Sequence, residues 1–285
     1  MSRIQNILEK AERDGAVRRM RPLAEPAAIA VDAPASVPPF VMPPAAPPAP
    51  AIPAGLEEPS AAEVVAPATR IVASQLDRTL AAALSPGAFA AEQYRALRTR
   101  VAHGDHGAAV DVLLITSPGR GEGKSLTAAN LALMMGQDFQ SRICLVDANL
   151  RHPSQHRLFG VPDAPGLADV LSGHALLTDA LIALEDQALT LLPAGQVPAH
   201  PAELLGSTAM RRMLQTLRSQ FDRVIIDAPS AAPLADVGIL TPLVDSVVLV
   251  VQAGTTTKPA IQEAVNAIGP PKLLGVVLNG AAAAA

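Results

Sequence analysis

The run Ser117-Pro118-Gly119-Arg120-Gly121-Glu122-Gly123-Lys124-Ser125 combines three glycines with a lysine and a hydroxyl. Glycines at that spacing let successive backbone amides turn towards one anion without Cβ clashes. A lysine then meets outer phosphate oxygens as a point charge, and a serine hydroxyl suits Mg²⁺. The full pattern is G-x-x-x-x-G-K-[ST] between a strand and a helix. Gly123, Lys124 and Ser125 match it, whereas Pro118 stands in the leading glycine's place and Gly119 follows one residue later. An apolar run (DVLLIT, 111–116) precedes the loop and a helical run (LTAANLALMM) follows it. Gly119 to Leu126, including Arg120 and Glu122, are therefore expected to hold ATP, helped by the positive end of the helix.

Two further apolar runs end in aspartate, Leu145-Val146-Asp147 and Ile225-Ile226-Asp227. Mg²⁺ takes hard oxygen ligands and keeps several waters, so carboxylates at strand ends suit it. If both strands flank the one before the loop, both acids stand beside the phosphates. Asp227 is then expected to hold Mg²⁺ with Ser125. Asp147 is expected to hold the metal, directly or through water, or to take a proton from an attacking hydroxyl. Lys124, Asp147 and Asp227 make up the expected catalytic set.

Positioning these groups requires strands that all end on one side. Apolar runs at 111–116, 142–147, 189–193, 223–227, 246–252 and 273–279 alternate with helix-period segments at 124–137, 208–220 and 257–268. That alternation predicts an α/β fold with a doubly wound, mainly parallel sheet of the P-loop NTPase type, whose ligands sit at the carboxyl ends of the strands.

Composition narrows the class. Aromatic residues are 2% of the chain against 49% hydrophobic, so the core is aliphatic. A net charge of −4 gives no basic footprint for nucleic acid. Cys144 is the only cysteine, which rules out an internal disulfide and places it as a small core residue. The six histidines show no metal-ligand grouping. No apolar run is long enough to span a bilayer, and a cytoplasmic location is expected.

Three regions are expected. Residues 1–21 form a short amphipathic helix, with Ile4, Ile7, Leu8 and Ala11 on one face and Arg18, Arg19 and Arg21 behind it. Residues 22–68 are a Pro/Ala-rich tether. Residues 69–285 are the P-loop domain.

In order and spacing, the motifs resemble those of the bacterial tyrosine kinases of capsule and exopolysaccharide synthesis, relatives of the MinD/ParA ATPases. SPGRGEGKSLTAANLA resembles their Walker A, LVDANLRHP the D-x-D-x-R-x-P of Walker A′, and FDRVIIDAP their Walker B. Glu92, Arg95 and Arg98 match the family's E-x-x-R-x-x-R motif, which implies a homo-oligomer packed through them. The resemblance implies ATP-dependent phosphorylation of tyrosine. It also implies an activating membrane protein of the chain-length-determinant type, which would bring the chain to the inner face of the membrane. Asn149 replaces the family's second Asp, and Gly119 replaces the signature lysine of the MinD/ParA branch. The family's tyrosine-rich tail has no counterpart before the closing Asn279-Gly280 and five alanines, and the only tyrosine, Tyr94, is expected to be structural. An ATP-gated assembly regulator without kinase activity is the alternative. Arg151 is expected to meet phosphate, a neighbouring subunit or an acid, and Asn279 to lie near adenine.

Overall fold

The computed structural model describes residues 66–71, 76–80, 85, 87–104, 110–137, 141–185, 187–231 and 236–281. The expected N-terminal helix and nearly all of the tether lie outside these residues. In chain order, β1 (Thr69–Ile71) and α1 (Phe89–His103) precede β2 (Val112–Thr116), α2 (Lys124–Gly136) and β3 (Ile143–Asp147). Three short helices follow, α3 (Gln155–Phe159), α4 (Leu167–Leu171) and α5 (Leu177–Ala180), and then β4 (Ile182–Leu184) and β5 (Leu189–Leu192). The chain continues through α6 (Pro201–Leu205), α7 (Thr208–Gln220), β6 (Arg223–Asp227) and α8 (Asp236–Leu240). It closes with β7 (Ser246–Gln252), α9 (Lys258–Ile268) and β8 (Leu273–Asn279).

The strands form one sheet in the order β1-β4-β5-β3-β6-β2-β7-β8. Every pairing is parallel except β4 with β5, which fits the expected mainly parallel, doubly wound architecture. The strands read as unbroken apolar runs because both faces are covered. Along β2, Val112 and Leu114 enter one core while Leu113 and Ile115 enter the other. The first core is closed by Met210, Leu214 and Leu217 of α7 and by Ile261 and Val265 of α9. The second is closed by Val101 of α1 and by the Ala- and Leu-rich face of α2. Each fully buried Leu, Ile or Val contributes about 1.5–3 kcal/mol, so this double covering fixes the strand ends tightly. Ser207 starts α7 by accepting the Met210 N–H at 3.1 Å, the expected behaviour of a serine N-cap.

Two features differ from expectation. β1 and β4 are additional three-residue strands, too short to show a period. The strand before the loop, β2, is flanked by β6 and β7, so β3 and its Asp147 lie one strand further out. Hydrophobic pattern identifies strands but not their lateral order, which here follows from the crossovers.

Candidate functional site

All the parallel strands from β3 to β8 end on the same edge, which gathers the loop and both acids. Asp147 and Asp227 are register partners across β3 and β6, and Asp227 is in turn opposite Ile115 of β2. The loop leaves β2 and turns into α2 through Gly121 at φ +79 and Gly123 at φ +89. Side chains rarely adopt that left-handed region, so these two glycines are the ones the turn requires. Gly119 is not left-handed. A Cβ there would lie 3.2 Å from Glu122 Oε1, so its smallness serves a close approach instead.

The loop is held from several sides. Ser117 donates its hydroxyl to the Gly119 carbonyl at 2.6 Å, and the Ala231 N–H donates to the Ser117 carbonyl at 2.8 Å. The Asn279 amide donates to the Glu122 carbonyl at 3.0 Å, so Asn279 braces the loop from β8. The Glu122 carboxylate turns away from the cleft and accepts the Thr256 hydroxyl at 2.9 Å. Burial raises its pKa above the ordinary carboxylate value, against the opposing bonds from Thr256 and Gly119.

In front of the loop lies a cleft of about 550 Å³. Arg120, Gly121, Gly123, Lys124, Ser125 and Leu126 line it from the loop side, whereas Gly119 and Glu122 shape the loop without lining the cleft. His152 and Arg157 add basic groups to the lining, which Asp77 and Thr79 also join. His152 is exposed in the loop after β3 and also lines the cleft. Desolvation, then Arg120, Lys124 and Arg151, hold its pKa below the ordinary histidine value.

Asp147 and Asp227 are fully buried and do not themselves line the cleft. Asp147 accepts three backbone N–H bonds, from Asn149 at 3.1 Å and from Ser154 and Gln155 at 3.0 Å each. Burial nevertheless raises its pKa, and the Asp227 charge raises it further. Asp227 is also raised by burial, with Lys124, Gln155 and the nearby Ser125 hydroxyl working against that rise. Lys124 Nζ lies 3.2 Å from Ser125 Oγ, within hydrogen-bond range. Asp227 Oδ1 is buried and has no hydrogen-bond partner. A buried carboxylate oxygen without a donor, beside a serine hydroxyl, fits a hard cation whose remaining ligands are phosphate and water. Among the described residues no group of three or more His, Cys, Asp or Glu stands together.

Other expectations resolve locally. Arg151 forms a bidentate pair with Asp236, at 2.8 and 3.3 Å, rather than reaching the cleft. Asn149 donates its amide to the His152 carbonyl at 2.9 Å. Tyr94 hydrogen-bonds Thr127 and Asn130 of α2, and burial raises its pKa, as suits a structural role. Cys144 is buried in β3 with its thiol pushed up by burial. In the E-x-x-R-x-x-R motif, Arg95 pairs with Glu92 and Arg98 donates to the Met134 carbonyl at 3.2 Å, both inside this chain. Gln155, Thr256 and Asp236 carry no sequence signal at all; their roles arise from contacts between distant segments.

A parallel sheet with this loop and two acids at its carboxyl edge defines a P-loop nucleotide-binding protein. No family model matches the chain. The tyrosine-protein kinase YwqD of Bacillus subtilis is 35% identical over 209 residues, covering 73% of this chain and 88% of that one. The tyrosine-protein kinase CpsD of Streptococcus agalactiae is 32% identical over 191 residues, 66% of this chain and 82% of that one. Among solved structures, the chimerical protein CapA2B2 aligns with a TM-score of 0.67 at 31% identity, over 74% of this chain and 92% of that one. The kinase domain of the Escherichia coli tyrosine kinase ETK gives 0.66 at 26% identity, over 72% and 83%. The chain belongs to the bacterial tyrosine-protein kinase family.

Proposed function

We propose that this chain binds ATP with Mg²⁺ and transfers the γ-phosphoryl group to a tyrosine hydroxyl in polysaccharide synthesis or export. The observation carrying this reading is the left-handed glycine loop opening α2 at Lys124, set before two register-paired buried aspartates. Amides of the loop and Lys124 hold the β- and γ-phosphates, and Arg120 extends the positive surface along the cleft. Ser125 and Asp227, with Asp147 the register partner of Asp227, would hold Mg²⁺, which would supply charge neutralisation at the phosphates. Asp147, whose affinity for a proton is raised, takes the proton released by the tyrosine. Asp147 itself is fully buried, and the cleft-lining residues Asn149 and Ser154 both donate backbone N–H groups to it.

Tyr94, the only tyrosine in these 285 residues, is tied to α2 and is not the proposed acceptor. An activating membrane protein would bring this chain to the inner face of the membrane. Among the described residues no helix is long and apolar enough to cross a membrane. Self-association is proposed through the helix bearing Glu92, Arg95 and Arg98. Residues 1–21 and 22–68 are proposed as docking helix and tether to domain 69–285. Asn149, neutral where a second carboxylate would strengthen the ion site, favours a second reading, an ATP-gated assembly regulator. Incubation with labelled ATP, Mg²⁺ and a tyrosine-bearing peptide separates the two. Phosphotyrosine that Lys124→Met abolishes supports the kinase; ATP turnover or assembly with no phosphotyrosine refutes it.

A further inference from the structure

Gln155 hydrogen-bonds both acids, one through its backbone and one through its side chain. Its backbone N–H donates to Asp147 Oδ2 at 3.0 Å, while its side-chain amide donates to Asp227 Oδ2 at 2.8 Å and to the Ser125 carbonyl at 3.0 Å. The residue is fully buried, at the first position of α3. It therefore ties three separately positioned pieces together: the end of β3, the end of β6, and the first turn of α2.

We propose that Gln155 is a positioning residue for the magnesium site, an inference that rests on reading this site as the Mg·ATP site. A carboxylate held at one oxygen has its plane and rotation set. With Oδ2 taken by Gln155, Oδ1 is the oxygen of Asp227 left without a hydrogen bond. The second amide hydrogen reaches the backbone of Ser125, the residue whose hydroxyl is the other ligand, so both ligands are referenced to one side chain. A neutral amide does this without placing a positive charge beside the ion, as Lys or Arg would. With Asn149 neutral, the orientation of Asp227 matters more, because fewer charges are available to hold the cation.

The experiment uses the full chain and measures ATP affinity by calorimetry in EDTA and in saturating MgCl₂; the ratio is the metal coupling. Gln155→Met keeps length and removes both donors, while its backbone N–H to Asp147 remains. The expected result is an ATP affinity in EDTA within about twofold of the parent and a coupling reduced roughly 10–100-fold. In an Asp227→Asn background the same substitution leaves the coupling unchanged. Unaltered coupling in the Met variant overturns the proposal. Should that variant lose ATP binding in EDTA as well, Gln155→Glu replaces it: the same selective loss supports the proposal, and equal or stronger coupling overturns it. Loss of EDTA binding in both variants also overturns it, since Gln155 then serves the fold and not the ion. A parent chain without any metal coupling refutes the Mg·ATP reading itself, a distinct result.

Discussion

Asp227→Asn is expected to stabilise the ligand-free protein while destroying the proposed metal site. Asp147 and Asp227 are register partners on adjacent strands, both fully buried. Adjacent strands stand about 5 Å apart, and two like charges at that distance repel by roughly 3 kcal/mol at an effective dielectric of 20. The substitution keeps the shape and leaves an oxygen to accept the Gln155 amide. It forfeits the Lys124 attraction and a charge-assisted bond, together about 1 kcal/mol. A net gain of roughly 2 kcal/mol raises the Tm of a domain this size by about 4–8 °C.

The pH dependence fixes the sign. The Asp147 carboxyl is pushed up to about 7 in the fold, above its unfolded value of 3.8. A raised folded pKa contributes stability that is fully present below the unfolded value and lost as pH rises through the folded one. The parent therefore weakens between about pH 4 and pH 7, and the advantage of Asp227→Asn grows over the same range. Calorimetric melting of both proteins at about pH 5 and about pH 8 measures it. An equal difference at the two pH values, or a variant less stable than its parent at the higher one, refutes the reasoning.

Gly123→Ala places a Cβ 2.1 Å from Asn279 Nδ2 at a left-handed φ, so ATP affinity in EDTA is expected to fall at least tenfold. Adding Asn279→Ala removes the clash but not the φ strain, and titration calorimetry should show only partial recovery. Arg151→Met leaves the buried Asp236 without its partner and is expected to cost roughly 2–4 kcal/mol in urea unfolding, since Arg151 is itself one-third exposed. Asp236→Asn in the same chain should recover most of that loss. Tyr94→Phe removes the hydroxyl bonded to Thr127 and Asn130 and is expected to cost about 1 kcal/mol. Phosphorylation of an added tyrosine peptide should continue in that variant, which a label assay checks.

The candidate site was legible locally. The glycines, Lys124 and Ser125 lie within one short run, and both aspartates end apolar runs, so residue type and spacing alone identified them. The long strands were legible for the same reason, because a strand buried on both faces must be continuously apolar. Three residues cannot display a period, and so β1 and β4 were not visible. What only the tertiary structure decided is which segments meet. Crossovers place β6 between β2 and β3, so Asp147 faces Asp227 instead of the loop. Glu122 turns to Thr256, 134 residues away, and Gln155 to Asp227, 72 residues away. Such polar pairs have no signature along the chain, because each residue's partner is chosen only when burial removes water and leaves one donor within reach.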